Sequence, residues 1–291
     1  MASWQGLTKL DILFIWDIAG IASMLARELT ARSLKASCMM RREFDKGRIS
    51  EFYGAVLHDG SGFIDASRKA SEKARILHFS YLDSFSVKGH STPLLPLFKA
   101  PSRKIIMHYH GSDIRGKGTQ KRLYYAPADL VLVSSRDLLR EVADATWLPR
   151  PVDTDHFKPL QVARKKRSAV YVNVISTWLR TAEKFCCERG LSLTVVDRES
   201  DQWIPYSEYP LFLNRFEYFL DFKGQEELSK NALEALSCGL KVVHINRQGE
   251  ISFHCNLPQT NRLENVVKKY INILWRAFCF SQGDSRIKCR R

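Results

Sequence analysis

No two of the seven cysteines are spaced C-x-x-C, and the count is odd. That argues against a disulfide framework, and adjacent Cys186 and Cys187 make a poor pair for one metal. Several of the others lie in apolar runs, so the cysteines read as small hydrophobes in a reducing cytoplasm. Long apolar runs are also missing. "ILFIW" and "INILW" are far too short to span a bilayer, and "MASWQGLTKLD" lacks the charged start and apolar core of a signal peptide. There is no repeat of solenoid period, no low-complexity tract, no Walker loop, no G-x-G-x-x-G, no zinc pattern and no Ser-His-Asp order. What these absences leave is a globular protein, expected to be cytoplasmic, either soluble or peripheral on the inner face of a membrane.

Acidic residues are in deficit: 31 Asp and Glu face 45 Lys and Arg, for a net charge of +14. Such a chain favours polyanions. The densest clusters are "ARKKR" (Ala163–Arg167) and the tail "RIKCRR". They read either as solvated linker and tail or as attraction to an anionic membrane surface, where each basic residue contributes about 1 kcal/mol. Nucleic acid is not an expected partner, because the clusters do not interleave with aromatic residues on surface strands. At 291 residues, with 45% apolar and 26% charged content, the chain can bury one large or two medium cores.

Short apolar strands alternate with amphipathic helices. "DILFIW" is followed by "DIAG", a helix over about Ile21–Ala31 and the strand "KASCMM", which is a βαβ opening. "RILHFSY", "KIIMHYH" and "DLVLVSS" continue as strands, with a helix from Asp137. "WLPRPVDTDHFKPL" (Trp147–Leu160) carries three prolines and breaks the rhythm. The alternation then resumes with "SAVYVNVI", a helix ending at Gly190, "LSLTVV", a short helix in "SEYPLFLNRF", "YFLD", a helix, "LKVVHI" and a last helix over about Arg262–Phe278. The expected class is α/β: two doubly wound Rossmann-like domains facing a cleft lined by strand C-termini. The expected bounds are 1–151, 152–280 and a basic tail over 281–291.

Gly20 sits in the first turn, where a glycine permits close approach to a phosphate at a helix N-terminus or simply a tight turn. "HYHGSDIRGKG" follows a strand; His108 and His110 share a face, Gly111, Gly116 and Gly118 suit a phosphate or sugar loop, and Arg115 and Lys117 supply charge. No third ligand of suitable spacing accompanies the histidines, so no metal is expected. Asp153 and Asp155 lie in the proline-rich linker and read as hinge and helix-cap residues. In "LSKNALEALSCGLKVVHI", Ser229 is the expected N-cap, which leaves the amides of Lys230 and Asn231 as an anion site. Leu228, Ala232, Leu233, Ala235 and Leu236 form the apolar face, with Glu234 on the other side beside Lys230. Glu226 precedes Glu234 by eight positions. Spacing leaves Glu234 open: a solvated helix residue, or a carboxylate able to accept from two vicinal hydroxyls.

"HGSDIR", "ADLVLVSSRDLLREV", "WLPRPVDTDHFKP" and "LSKNALEALSCGLKVV", in that order, resemble the retaining glycosyltransferases of family 4, of GT-B fold, and among them a compact archaeal-type subgroup. The resemblance runs from about Asp11 to Phe278. It implies an N-terminal acceptor domain, a C-terminal domain for a nucleotide-sugar donor as co-substrate with no other cofactor, and a glycan or lipid-linked acceptor. It also implies that His110 and Glu226 act near the transferred sugar, that Glu234 binds the donor ribose, that Gly20 lies beside the diphosphate, and that Ser229 and Lys230 belong to the donor site. The family's Arg/Lys diphosphate clamp has no match in "VNVISTWLRTAEKF"; Lys223, Lys230 and Arg180 are the available substitutes. That departure sustains the rival expectation of a catalytically silent GT-B nucleotide-sugar-binding protein or partner subunit.

Overall fold

A computed structural model describes residues 10–81, 84–87, 90–172, 176–196 and 204–279. The chain divides into two compact units: Met1–Asp45, Tyr53–Arg150 and Glu264–Arg291 form the first, and Lys46–Phe52 with Pro151–Leu263 the second. The units separate after Arg150. Residues 264–279, which the sequence reading put in the second half, belong to the first unit. The expected tail lies outside the described residues.

In chain order the first stretch carries β1 (Leu10–Ile15), α1 (Ile21–Ala31), β2 (Ala36–Arg41), the short α2 (Ile49–Phe52), β3 (Val56–His58), α3 (Phe63–Ser71), β4 (Ala74–Ser80), β5 (Ser84–Val87), β6 (His90–Pro93), α4 (Leu95–Phe98), β7 (Lys104–Tyr109), α5 (Gly118–Tyr125), β8 (Leu130–Val133) and β9 (Thr146–Trp147). Seven of these strands form one parallel sheet in the order β3-β2-β1-β4-β7-β8-β9, while β5 and β6 pair antiparallel on their own. The central strands are apolar on both faces because helices cover both: Leu13, Phe14, Ile15, Leu77, Phe79, Ile105, Ile106 and Met107 are all fully buried. The helix expected from Asp137 is a single 3₁₀ stretch, Arg136–Arg140.

The second stretch carries β10 (Ser168–Val172), α6 (Ser176–Glu188), β11 (Ser192–Val196), α7 (Tyr209–Leu213), β12 (Tyr218–Phe222), α8 (Lys230–Ser237), β13 (Lys241–Ile245), β14 (Ile251–His254) and α9 (Leu263–Leu274), which runs into a π-helical turn over Trp275–Cys279. The sheet order is β11-β10-β12-β13-β14, parallel except for the exposed edge strand β14. Its core joins Ala169, Tyr171, Phe185, Leu220, Phe222 and Val243. Both sheets reverse their winding, between β1 and β4 in the first unit and between β10 and β12 in the second. Such switch points are where open α/β sheets hold ligands, at the carboxyl ends of strands.

Candidate functional site

In the first unit the β1–α1 turn lies at the switch point. Gly20 is left-handed (φ 76°), and so are Trp16 (φ 71°) and Ala19 (φ 53°), a conformation that costs a non-glycine residue of order 1–3 kcal/mol. The loop is held by Asp17. Its carboxylate accepts the amides of Ala22 (2.8 Å) and Ser23 (3.3 Å) and the Ser23 hydroxyl (2.5 Å). The turn is therefore the tight one that a glycine allows, and the chain's own carboxylate occupies the helix-start amides that sequence reasoning offered to a phosphate.

The "HGSDIR" loop leaves the end of β7. Asp113 accepts the amides of His110 (3.1 and 3.0 Å) and Gly111 (2.7 Å), which fixes the turn. Arg115 is committed to Asp137 through Nε (3.0 Å) and Nη2 (2.7 Å), and Lys117 donates to the Ser112 carbonyl (3.0 Å). The Arg115 charge is thus paired, while Lys117 keeps its charge at the exposed surface. Gly118 starts α5 under a close contact: a Cβ there would lie 2.1 Å from the Glu141 carbonyl oxygen.

Behind the loop lies a continuous hydrogen-bonded chain. Tyr270 Oη meets His78 Nδ1 (2.6 Å), His78 Nε2 meets His108 Nδ1 (3.3 Å), His108 Nε2 meets Ser134 Oγ (3.0 Å), and Ser134 Oγ meets His110 Nδ1 (2.7 Å). His110 Nε2 is buried without a hydrogen-bond partner among the described residues. Burial drives all three imidazoles below the ordinary histidine range. His108 falls to about 3, with Arg150 adding to the effect, and the neighbouring ring adds to it at His78 and His110. His78, Ser134 and Tyr270 were missed by sequence reasoning. The one signal was a histidine inside the apolar strand "RILHFSY".

In the second unit β12 runs at its switch point into the loop before α8. Ser229 caps the helix as expected, its hydroxyl accepting from Ala232 N (3.3 Å). The Ser229 amide donates to Asp221 Oδ2 (2.8 Å), which also meets His244 Nδ1 (3.2 Å), so the strand end anchors the helix start. Burial pushes the Asp221 carboxyl up; the His244 bond, the Lys223 charge and the Ser229 bonds outweigh it and leave the group below the usual carboxylate range. The first-turn amides of Lys230 and Asn231 have no acceptor within the helix.

Glu234 is not the solvated residue that the helical wheel allowed. It is 1% exposed and Lys230 is 7% exposed, because α8 is covered nearly all round. Lys230 Nζ and the Tyr206 hydroxyl (2.9 Å) both engage Glu234 Oε1. Oε1 is committed to Lys230 and Tyr206, so Glu234 does not stand as an open bidentate acceptor. Lys230 is thus neutralised by its helix neighbour, and Arg180 is exposed. Residues 173–175, within the expected clamp segment, lie outside the described residues. Glu226 is exposed in the loop before Ser229, and none of the described hydrogen bonds or ion pairs involves it. In the linker, Asp153 accepts the amides of Asp155 (3.2 Å) and His156 (3.3 Å) and so closes a turn; the expected helix is not there for it to cap.

In the "ARKKR" cluster, Arg164 binds the carbonyls of Gly239 (2.8 Å) and Cys238 (2.7 Å) at the end of α8, and Arg167 binds the Arg189 carbonyl (3.1 Å). Lys165 and Lys166 remain exposed. Among the described residues no group of three or more His, Cys, Asp or Glu is arranged to hold a metal ion, and no helix is long and apolar enough to cross a membrane.

No protein-family model matches the chain, and no curated protein matches it. Solved structures do. A sucrose-phosphate synthase from Thermosynechococcus elongatus superposes with a TM-score of 0.52 at 12% identity, over 90% of each chain. The spinosyn forosaminyltransferase SpnP (TM-score 0.46, 10% identity, 94% of this chain and 92% of that one) and the calicheamicin glycosyltransferase CalG4 (0.39, 11%, 82% and 80%) are more distant. The first likeness shows a shared fold: this is an α/β protein of two Rossmann-like units, of the GT-B class.

Proposed function

We propose that the protein is a retaining glycosyltransferase of family 4 type, moving a hexose from a nucleotide-sugar donor to a glycan or lipid-linked acceptor hydroxyl. The observation that carries this reading is the β12–α8 switch point of a GT-B fold, where a capped helix start, its first-turn amides and the exposed carboxylate of Glu226 lie together in sequence and in one unit. In this reading Glu226 and His110 act at the transferred sugar. The Lys230 and Asn231 amides receive a phosphate oxygen, and Glu234 Oε2 accepts one ribose hydroxyl. Gly20 shapes a turn on the acceptor side and does not itself cradle the diphosphate. Catalysis is then electrostatic positioning, with no protein nucleophile. Lys165 and Lys166 are the exposed charges that would draw the protein to anionic lipid.

The test is release of free nucleotide from a panel of nucleotide sugars with acceptor glycans and lipids, and the anomeric configuration of the product read by NMR. Retention in the product supports the reading. Inversion, or no release above the rate of a Glu226→Gln, His110→Asn double variant, counts against it.

A further inference from the structure

We infer that His110 is locked as the Nε2–H tautomer, so that it offers a ligand oxygen a hydrogen-bond donor and not a base, and that Tyr270, His78, His108 and Ser134 are the positioning residues that lock it.

The argument is a count of protons. Five groups are joined by four hydrogen bonds, and each neutral group brings one exchangeable hydrogen. If Tyr270 donates to His78 Nδ1, the His78 proton must sit on Nε2, since two hydrogens cannot share one bond. It then donates to His108 Nδ1. His108 carries its own proton on Nε2 and donates to Ser134 Oγ, and the Ser134 hydroxyl donates to His110 Nδ1. The His110 proton is left only Nε2. This arrangement leaves one buried polar group unsatisfied, the Nε2–H itself.

The opposite direction leaves two. His78 would donate to Tyr270, whose own hydroxyl proton then has no acceptor, because Tyr270 is fully buried and His78 is its sole hydrogen-bond partner among the described residues. His110 Nε2 would become a buried bare acceptor. One additional unsatisfied buried group is worth roughly tenfold in tautomer population or more. The direction of the whole chain is therefore set at Tyr270, on α9, and read out at His110. A fixed Nε2–H suits a sugar hydroxyl oxygen under the glycosyltransferase reading; the tautomer itself does not rest on that reading.

The test uses the full chain labelled with 15N-histidine, with two-bond proton–nitrogen correlation spectra from about pH 5 to pH 8, the window in which an ordinary histidine titrates. The His110 signals are those missing in His110→Gln. A proton on Nε2 throughout is the expected result; a proton on Nδ1, or an averaged pair, overturns the inference. Tyr270→Phe removes the group that sets the direction and leaves two unsatisfied groups either way. Both tautomers should then be populated within about tenfold of each other. A single Nε2–H form surviving in a folded Tyr270→Phe protein would also overturn the inference. If that variant does not fold, Ser134→Thr should keep the wild-type tautomer and Ser134→Ala should lose it, and the same tautomer in both overturns the inference. Nucleotide release is measured separately, so failure of the glycosyltransferase reading leaves the spectra to decide this one.

Discussion

Lys230 and Glu234 face each other across one turn of α8 as an ion pair whose side chains are only 8% and 2% exposed. Replacing Glu234 by Gln leaves a buried ammonium without its counter-charge, which costs about 3–5 kcal/mol. Urea titrations of Glu234→Gln should show that loss, while Lys230→Met with Glu234→Leu together should recover most of it. A Glu234→Gln protein melting like wild type would show that the pair carries no such burden.

Glu226 is the contrasting carboxylate. It is exposed, so Glu226→Gln should change stability by no more than about 0.5 kcal/mol. Under the proposed function it should lower nucleotide-sugar turnover at least about tenfold, which is about 1.4 kcal/mol of transition-state stabilisation. Unaltered turnover would remove Glu226 from the site.

The three buried imidazoles predict acid sensitivity. Their folded pKa values lie below the unfolded value near 6.5, so the unfolded chain binds more protons as the pH falls. Stability is full above about pH 6.5 and declines toward about pH 3, where His108 titrates in the fold, by up to about 1.4 kcal/mol per pH unit for each histidine. Denaturant midpoints measured at steps from neutrality to pH 4.5 check this. A flat profile would mean that the rings titrate in the fold as they do in the unfolded chain.

Gly118→Ala should destabilise the protein by about 1–3 kcal/mol, since the added carbon meets a backbone carbonyl that cannot turn away. Thermal denaturation measures it. Gly116→Ala, where no neighbour lies within 4 Å but φ is +71°, reports backbone strain alone.

Lys165→Glu with Lys166→Glu should reduce co-sedimentation with anionic vesicles at low salt if these are the lipid-facing charges. Binding that is unchanged would place the attraction elsewhere in the chain.

The α/β alternation and the Ser229 cap were legible because both are local: strand length, periodicity and a hydroxyl before a helix suffice. The burial of Glu234 was not. A helical wheel sees one element's own pattern, and two opposite charges one turn apart look solvated until Tyr206 and Phe157 are known to lie against them. Nor could the engagement of Arg115 by Asp137 be read, since its partner stands 22 positions away. The histidine chain draws on positions 78, 108, 110, 134 and 270, and no spacing rule links them.

The threading of the chain through its two units bears on the order in which they mature. Synthesis proceeds from the N-terminus, and domains tend to fold as they emerge. The second unit has every segment it needs once Leu263 has been made, whereas the first must wait for α9. His78, synthesised 192 positions before Tyr270, remains without its buried hydroxyl partner through that interval. The unit begun first is thus the one completed last, and a ribosome-stalled chain ending at Leu263 should protect the second unit from protease while leaving the first open to cleavage.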